Sequence, residues 1–205
     1  MAYIALIAAA LCAVLRCVQN KYIFSALTTL LCALAVAASG DAPAKLALIL
    51  GLFLSIAADW QLAHQKPGGS RFLRGVIGFF IAHLLFLLYA LPRYAYHLAP
   101  LIVSIALFAG YAVYLALRIL PRAAKGLKKP IALYMLVSVA SFYFALSMRA
   151  PAPERWLYIA GIAAILFSDT LIAEGDFAGN RKAQHLLLPA YYLCHILISL
   201  SAIIR

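Results

Sequence analysis

The chain has 205 residues, of which 67% are hydrophobic and only 11% are charged, and its mean hydropathy is +1.00. A soluble domain has roughly 45–50% apolar and about 25% charged residues, so the composition excludes an ordinary soluble protein. The formal net charge is +11. The basic residues fall between the apolar runs, which favours membrane lipids with anionic headgroups as partners and argues against nucleic acid.

Eight apolar runs of about 20 residues follow one another along the chain. They predict membrane spans over residues 2–18, 22–39, 44–63, 72–91, 98–119, 130–148, 155–174 and 185–204. The runs lack the alternation of a membrane β-barrel, and no segment between them is long enough to be a domain linker. We therefore predict an all-α fold, a polytopic transmembrane helical bundle of eight spans, in a single domain over residues 1–205.

The Lys and Arg residues are distributed unevenly between the two ends of the predicted spans. Twelve of the 17 follow spans one, three, five and seven: Arg16, Lys21, Lys66, Arg71, Arg74, Arg118, Arg122, Lys125, Lys128, Lys129, Arg181 and Lys182. The positive-inside rule places this end of the bundle in the cytoplasm. We therefore expect a multi-pass protein of the bacterial inner membrane with both termini on the opposite side.

Two of the six acidic residues lie inside predicted spans, Asp59 in span three and Asp169 in span seven. A charged side chain at the bilayer centre costs roughly 2.5–3.5 kcal/mol on insertion scales, so such residues usually face a bundle interior or a water-filled cavity. The predicted orientation places both aspartates at matching depth in the cytoplasmic half. Pairing with a loop arginine, or a position at the interface, is the alternative explanation for each.

Two histidines lie in predicted spans as well. His83, in span four, is a candidate to orient a carboxylate or relay a proton, although a lone histidine on an apolar helix is often a packing residue. His195, in span eight, has Ser199 one turn after it and Tyr191 and Tyr192 one turn before it. Tyrosines near the end of a span also serve as interfacial anchors.

Serine hydroxyls accompany both aspartates. Ser55 lies one turn before Asp59 on the same helical face, and the spacing predicts a hydrogen bond between them. Ser168 precedes Asp169 directly, although serines in membrane helices commonly bond back to the helix backbone.

The segment between spans three and four, residues 64–75, combines glycines with basic side chains. Arg71 and Arg74 are candidates to hold a lipid phosphate at the membrane surface, because the guanidinium fork suits phosphate oxygens. Simple positive-inside charge is the alternative. The chain contains no Walker loop, G-x-S-x-G, HExxH or dinucleotide-binding motif, which argues against ATP-driven transport and serine-lipase chemistry.

Four stretches from spans three, four, seven and eight resemble, in order and spacing, the YhhN family of integral membrane lysoplasmalogenases. They are GLFLSIAADWQLA (51–63), GVIGFFIAHLLFLLY (75–89), GIAAILFSDTLIA (161–173) and LLLPAYYLCHILI (186–198). The Ser-Asp stretch is the most specific of the four, and the eight-span layout extends the likeness over the whole chain.

The chain departs from the pattern of the family at three places. Ala58 precedes the first aspartate, where the family commonly has Gly. Cys194 and His195 stand where Ala-Gln is expected, so His195 inherits no role by identity. Phe86 replaces an aromatic hydroxyl one turn after the histidine, and Tyr89 is the candidate to substitute for it.

The resemblance implies that the substrate is a lysophospholipid, the alkenyl-glycerophosphoethanolamine or -choline called lysoplasmalogen. Hydrolysis of its vinyl ether bond gives a fatty aldehyde and the glycerophospho-headgroup, without a cofactor. Protonation of the enol-ether carbon produces an oxocarbenium-like cation, so the reaction needs an acid and a stabilising carboxylate, as in glycosidases. We predict that Asp59 and Asp169 share one proton and act as this pair, with His83 orienting a carboxylate or relaying the proton.

Tyr192 and Ser168 are the candidates to hold water or an aspartate beside that pair. The sequence is compatible with two other hypotheses. In one, the two aspartates and two histidines of the spans bind a metal ion that activates water. In the other, the same side chains form the proton relay of a proton-coupled transporter or lipid-handling protein, although no inverted repeat is evident.

Overall fold

A computed structural model describes residues 1–19, 21–65, 70–180 and 182–204. These residues form eight α-helices: α1 Ala2–Gln19, α2 Tyr22–Ala38, α3 Leu46–Ala63, α4 Arg71–Ala90, α5 Leu98–Tyr114, α6 Lys125–Leu146, α7 Ala152–Asp176 and α8 Ala183–Ile203. A 3-10 turn at Leu91–Arg93 extends α4, and a π-helical segment at Leu115–Ile119 extends α5. The predicted all-α fold is confirmed.

Length and hydropathy make the chain a multi-pass integral membrane protein. Seven of the helices are long and apolar enough to cross a membrane, and α2, with 17 residues, is a shorter apolar helix. The largest boundary difference is at α6, which begins at Lys125 rather than at residue 130. Its first turns carry three lysines, so the apolar run begins later than the helix does. Hydropathy locates the apolar part of a helix and not its true start.

Neighbouring helices pack in pairs along the chain. α1 packs against α2, α3 against α4 and α7 against α8, while α8 also contacts α1 and α2, and α4 contacts α6. α5 packs mainly against α6 and is the least buried of the long helices. The end of the bundle at which α1, α3 and α7 end and α8 begins is called the basic end below.

Small residues permit the closest helix approaches. A Cβ atom added to Gly78 of α4 would lie 2.8 Å from the Cβ of Ala58 in α3. A Cβ added to Gly161 of α7 would lie 3.0 Å from the backbone nitrogen of Ile198 and 3.2 Å from the carbonyl oxygen of Cys194 in α8. Such contacts are typical of membrane helices, which associate through close van der Waals packing. They fix how α3 and α7, the two aspartate-bearing helices, face their neighbours.

The opposite end of the bundle is joined by a buried ion pair. Arg93, after α4, pairs with Glu154 in the first turn of α7, and the Glu154 side chain is only 3% exposed. An isolated β-bridge between Tyr94 and Met148 lies beside it. Glu154 is therefore a packed element of the bundle that links two helices, rather than a solvated loop residue.

Gly161→Ala is predicted to destabilise the protein, because the new methyl group would push α7 and α8 apart. The expected loss in the free energy of unfolding is about 1–3 kcal/mol, as for other overpacked cores, measured as a lower melting temperature in detergent. Gly110→Ala is the matched control, since a Cβ at Gly110 meets no atom within 4 Å and alanine is the better helix former. Equal stability of the two variants would contradict the close approach.

Candidate active site

A cavity of about 300 Å³, called the wide cavity below, lies at the basic end of the bundle. It is formed between α1, α3, α7 and α8, with Phe79 of α4 also in its wall. Its polar lining residues are Arg16, Asp59, Gln65, Asp176 and Tyr191. Asp59 lies four residues before the end of α3, so its carboxyl group is about one turn inside the helix end.

Asp59 is held by a hydroxyl group from another helix. Ser25 of α2 donates a hydrogen bond to the Asp59 carboxylate, and the Tyr192 hydroxyl of α8 donates to Ser25 Oγ at 2.7 Å. Arg16 is near enough for its positive charge to act on Asp59. The predicted bond from Ser55 to Asp59 is wrong: Ser55 donates to the carbonyl of Gly51 in its own helix at 2.9 Å.

Asp169 has a histidine partner. The Asp169 Oδ2 atom lies 3.2 Å from His83 Nε2 of α4, and the Tyr134 hydroxyl of α6 lies 3.1 Å from the same nitrogen. His83 is fully buried, while the Asp169 side chain keeps 13% of its surface exposed. A carboxylate can only accept a hydrogen bond. One proton therefore lies between the two side chains, either on the ring nitrogen or on the carboxyl.

Asp169 faces two small cavities. The one of about 70 Å³ has an almost wholly apolar wall, apart from Tyr134 and Asp169, and is called the narrow cavity below. It shares Leu62, Phe79 and Ile172 with the wall of the wide cavity. The two aspartates therefore lie on adjoining cavities, each with its own hydrogen-bond partner. The sharing of one proton between the aspartates themselves stays a prediction.

Three other predicted site residues, His195, Ser168 and Tyr89, occupy different positions relative to these cavities. His195 is buried, with Nδ1 3.0 Å from Thr29 Oγ1 and its ring against Tyr191, so it supports the wall of the wide cavity. The Ser168 hydroxyl is buried without a hydrogen-bond partner in the described part of the chain. Tyr89 packs on Tyr158 and under the Arg93 guanidinium, at the opposite end of the bundle, so the structure does not bring it to His83.

The predicted phosphate-binding arginines make local contacts. Arg71 donates to the His64 carbonyl at 2.8 Å and lies over the Trp60 ring, and Arg74 donates to Ser70 Oγ at 3.1 Å. Neither arginine is among the described residues that line the wide cavity. Residues 66–69 of the same segment lie outside the described ranges.

The sequence reasoning missed Ser25, Tyr134 and Arg16 as site residues. Two of them belong to polar stripes with helical spacing. Ser25 begins the series 25, 28, 29 and 32 in α2, and Tyr134 begins the series 134, 138 and 141 in α6. Such stripes on apolar helices are the signal that could have identified the partners of the aspartates. The sequence identifies Arg16 only as one of the basic residues that indicate membrane orientation.

The four-residue metal-binding hypothesis is wrong for the residues that the structure describes. Within them, no group of three or more His, Cys, Asp or Glu side chains is placed to hold a metal ion. His83 pairs with Asp169, whereas His195 pairs with Thr29. The two histidines therefore serve separate networks.

These features define a class: an integral membrane helical bundle that holds ionisable side chains against internal cavities near one end. The chain belongs to the YhhN family, which matches residues 20–202. This family includes lysoplasmalogenases, which are hydrolases. Comparison with curated proteins and with solved structures gives no match.

His83→Ala is predicted to destabilise the folded protein, because it leaves the Asp169 carboxyl and the Tyr134 hydroxyl without a shared partner. Loss of a buried polar partner typically costs about 1–3 kcal/mol, which thermal unfolding in detergent would detect. His185→Ala is the matched control, since His185 is exposed at the start of α8. A His83→Ala protein with the wild-type melting temperature would show that the pair contributes nothing to stability.

Proposed function

We propose that the chain is a lysoplasmalogenase-type hydrolase, which cleaves the vinyl ether of alkenyl-glycerophosphoethanolamine or -choline. The observation that carries the proposal is the meeting of the two cavities. A wide cavity with polar groups adjoins a narrow apolar one, and each has an aspartate in its wall. The vinyl ether of a lysoplasmalogen lies at the same kind of boundary, between an apolar chain and a polar headgroup.

The pair of Asp169 and His83 is suited to be the acid. The two side chains hold a proton between them, with Asp169 Oδ2 3.2 Å from His83 Nε2. Asp169 is the partner that reaches the cavity. In this proposal Asp169 transfers the proton to the substrate, and His83 is the positioning residue that supplies it.

Asp59 is suited to be the stabilising carboxylate. Its neighbours are a donating hydroxyl, Ser25, and a positive charge, Arg16. Both neighbours favour the ionised form of the carboxylate and offset part of the cost of its burial. An ionised carboxylate near the reacting atoms stabilises a developing cation and accepts a proton from water.

The reaction then proceeds in three balanced steps. Asp169 protonates the second carbon of the alkenyl chain, and the electron pair of the double bond forms the new C–H bond. The cation left on the first carbon and the ether oxygen is attacked by water, which gives its proton to Asp59. As the hemiacetal collapses, Asp59 gives its proton to the ether oxygen, which leaves as the glycerol hydroxyl. The hemiacetal hydroxyl gives its proton to Asp169, and the first carbon becomes the aldehyde.

The size of the narrow cavity bears on how the lipid is held. A volume of about 70 Å³ accepts only the first atoms of an alkenyl chain. The remainder of the chain extends between the helices into the surrounding membrane lipid. Because the cavities lie at the basic end, the positive-inside rule supports an active site in the cytoplasmic half of the bundle.

A buried His–Asp pair is also the kind of element that relays protons in transporters, which makes a proton-coupled transporter the second candidate. The two functions differ in what they require. A hydrolase releases aldehyde from lysoplasmalogen in detergent, whereas a transporter moves its substrate only across a sealed vesicle membrane.

Asp59→Asn and Asp169→Asn are each predicted to lower kcat for vinyl ether cleavage by at least about 100-fold, since positioned acid–base groups contribute 10²–10⁴-fold. The measurement is aldehyde release from alkenyl-lysophosphoethanolamine in detergent. Asp41→Asn, in the loop between α2 and α3, is the control and should retain activity. Binding of the uncleavable alkyl-ether analogue shows that the variants are folded. Turnover within a few-fold of wild type in either variant would refute the acid–base roles.

Isotope labelling tests the chemical route independently. In D₂O the released aldehyde is expected to carry deuterium on the carbon next to the aldehyde group, because the proton donor exchanges with solvent before transfer. In H₂¹⁸O the glycerol product should contain no label, because water attacks the chain carbon and not the glycerol carbon. Mass spectrometry of the two products reads both results. Labelled glycerol would mean cleavage of the other C–O bond.

A further inference from the structure

We propose that the wide cavity binds a zwitterionic headgroup, with Arg16 holding the phosphate and Asp176 holding the ammonium group, and that Asp176 determines headgroup specificity. The inference rests on the proposed function only in placing the scissile bond at the inner end of this cavity. Arg16 lies before residues 20–202, the part of the chain that matches the family.

The cavity wall holds opposite charges on different helices. Arg16 comes from α1, and Asp176 is the last residue of α7. Arginine is suited to phosphate because its planar guanidinium group donates two parallel hydrogen bonds to the oxygens. The described residues give Asp176 a neutral partner, the amide of Gln65. A neutral partner leaves the carboxylate oxygens able to accept further hydrogen bonds, such as those from an ammonium group.

The neighbouring acidic residue is already engaged. Glu174 accepts hydrogen bonds from Arg118 at 2.8 and 3.0 Å and from the Tyr114 hydroxyl at 2.8 Å. Unlike Asp176, it is not among the described residues that line the wide cavity. Asp176 is thus the carboxylate that faces the headgroup position at the rim.

The carboxyl ends of three helices around the rim of the wide cavity also favour an ammonium group there. α1, α3 and α7 end at the wide cavity, and each has residues from its last two turns in the wall. The carboxyl end of a helix carries a partial negative charge, which favours a cation within the last turn. An ammonium group at the rim therefore gains from these ends as well as from Asp176.

Counted from the end of its own helix, each polar group takes a place that matches the order of the groups in the lipid. Asp169 lies seven residues before the end of α7, Asp59 four residues before the end of α3, and Arg16 three residues before the end of α1. At 1.5 Å per residue these depths are roughly 10, 6 and 4–5 Å, with Asp176 at the helix end. A lysoplasmalogen presents its vinyl ether, phosphate and ammonium in that sequence.

The test compares substrates that differ only in the headgroup. Alkenyl-lysophosphoethanolamine carries an ammonium group, and alkenyl-lysophosphoglycerol carries the phosphate without one. Asp176→Asn is expected to raise KM for the first by about three- to fivefold, the range of a partly exposed ion pair. For the second, KM should stay the same or fall. The effect is expected on KM rather than on kcat.

Two further variants control this comparison. Asp41→Asn removes a carboxylate at the opposite end of the bundle, where φ is +52°, a conformation that Asn tolerates; it should change neither KM. Asp176→Glu keeps the charge and should keep the preference for the ammonium headgroup. If Asp176→Asn leaves the ratio of the two KM values at its wild-type value while turnover persists, the headgroup assignment is wrong and the hydrolase proposal stands.

Binding of uncleavable alkyl-ether lysolipids tests the headgroup assignment independently of the hydrolase proposal. Their affinities for the full chain in detergent are measured with both headgroups, by thermal stabilisation. A preference for the ammonium headgroup that Asp176→Asn removes supports the headgroup assignment, even if no vinyl ether is cleaved. Equal affinity for both headgroups in the wild-type protein would overturn it.

Discussion

The structure depends on one constraint, that an ionisable group inside a membrane bundle must find its partners within the protein. Lipid offers neither water nor counter-charge, so an unpaired carboxylate there is costly. Asp169 meets this constraint with His83, a partner that shares a proton. Asp59 meets it with a hydroxyl from Ser25 and the nearby charge of Arg16. The two carboxyl groups are therefore chemically unlike, although they are the same residue type.

The partners come from helices that are distant in sequence, so the packing of backbones decides whether the networks form. Ser25 lies 34 residues from Asp59, and Tyr192 lies 167 residues from Ser25. The close approach of Gly78 to Ala58 brings α4 against α3 one residue away from Asp59. A bulkier pair there would separate the walls of the wide and narrow cavities, which share side chains from these two helices.

The fold could be predicted from the sequence because the apolar runs report directly on the helices that lipid requires. The start of α6 could not be predicted in this way, because the first turns of the helix carry lysines and precede the apolar run. The two aspartates could be identified because a charged side chain inside a membrane span is energetically costly. His83 could be identified because it is a histidine within span four. Their partners depend on how each helix is rotated about its axis. That is why Ser25 was missed and Ser55, on the same helical face as Asp59, was chosen wrongly.

Depth offers a physical reason to prefer a hydrolase over a transporter. Substrate sites of secondary transporters lie near the bilayer midplane, about 15 Å from either edge of a 30 Å hydrocarbon core. Asp59 and Asp169 lie four and seven residues from their helix ends, or roughly 6 and 10 Å. The vinyl ether of a lysolipid lies close to the headgroup. Carboxyl groups at this shallow depth therefore suit the proposed cleavage of that bond better than they suit a transport site at the midplane.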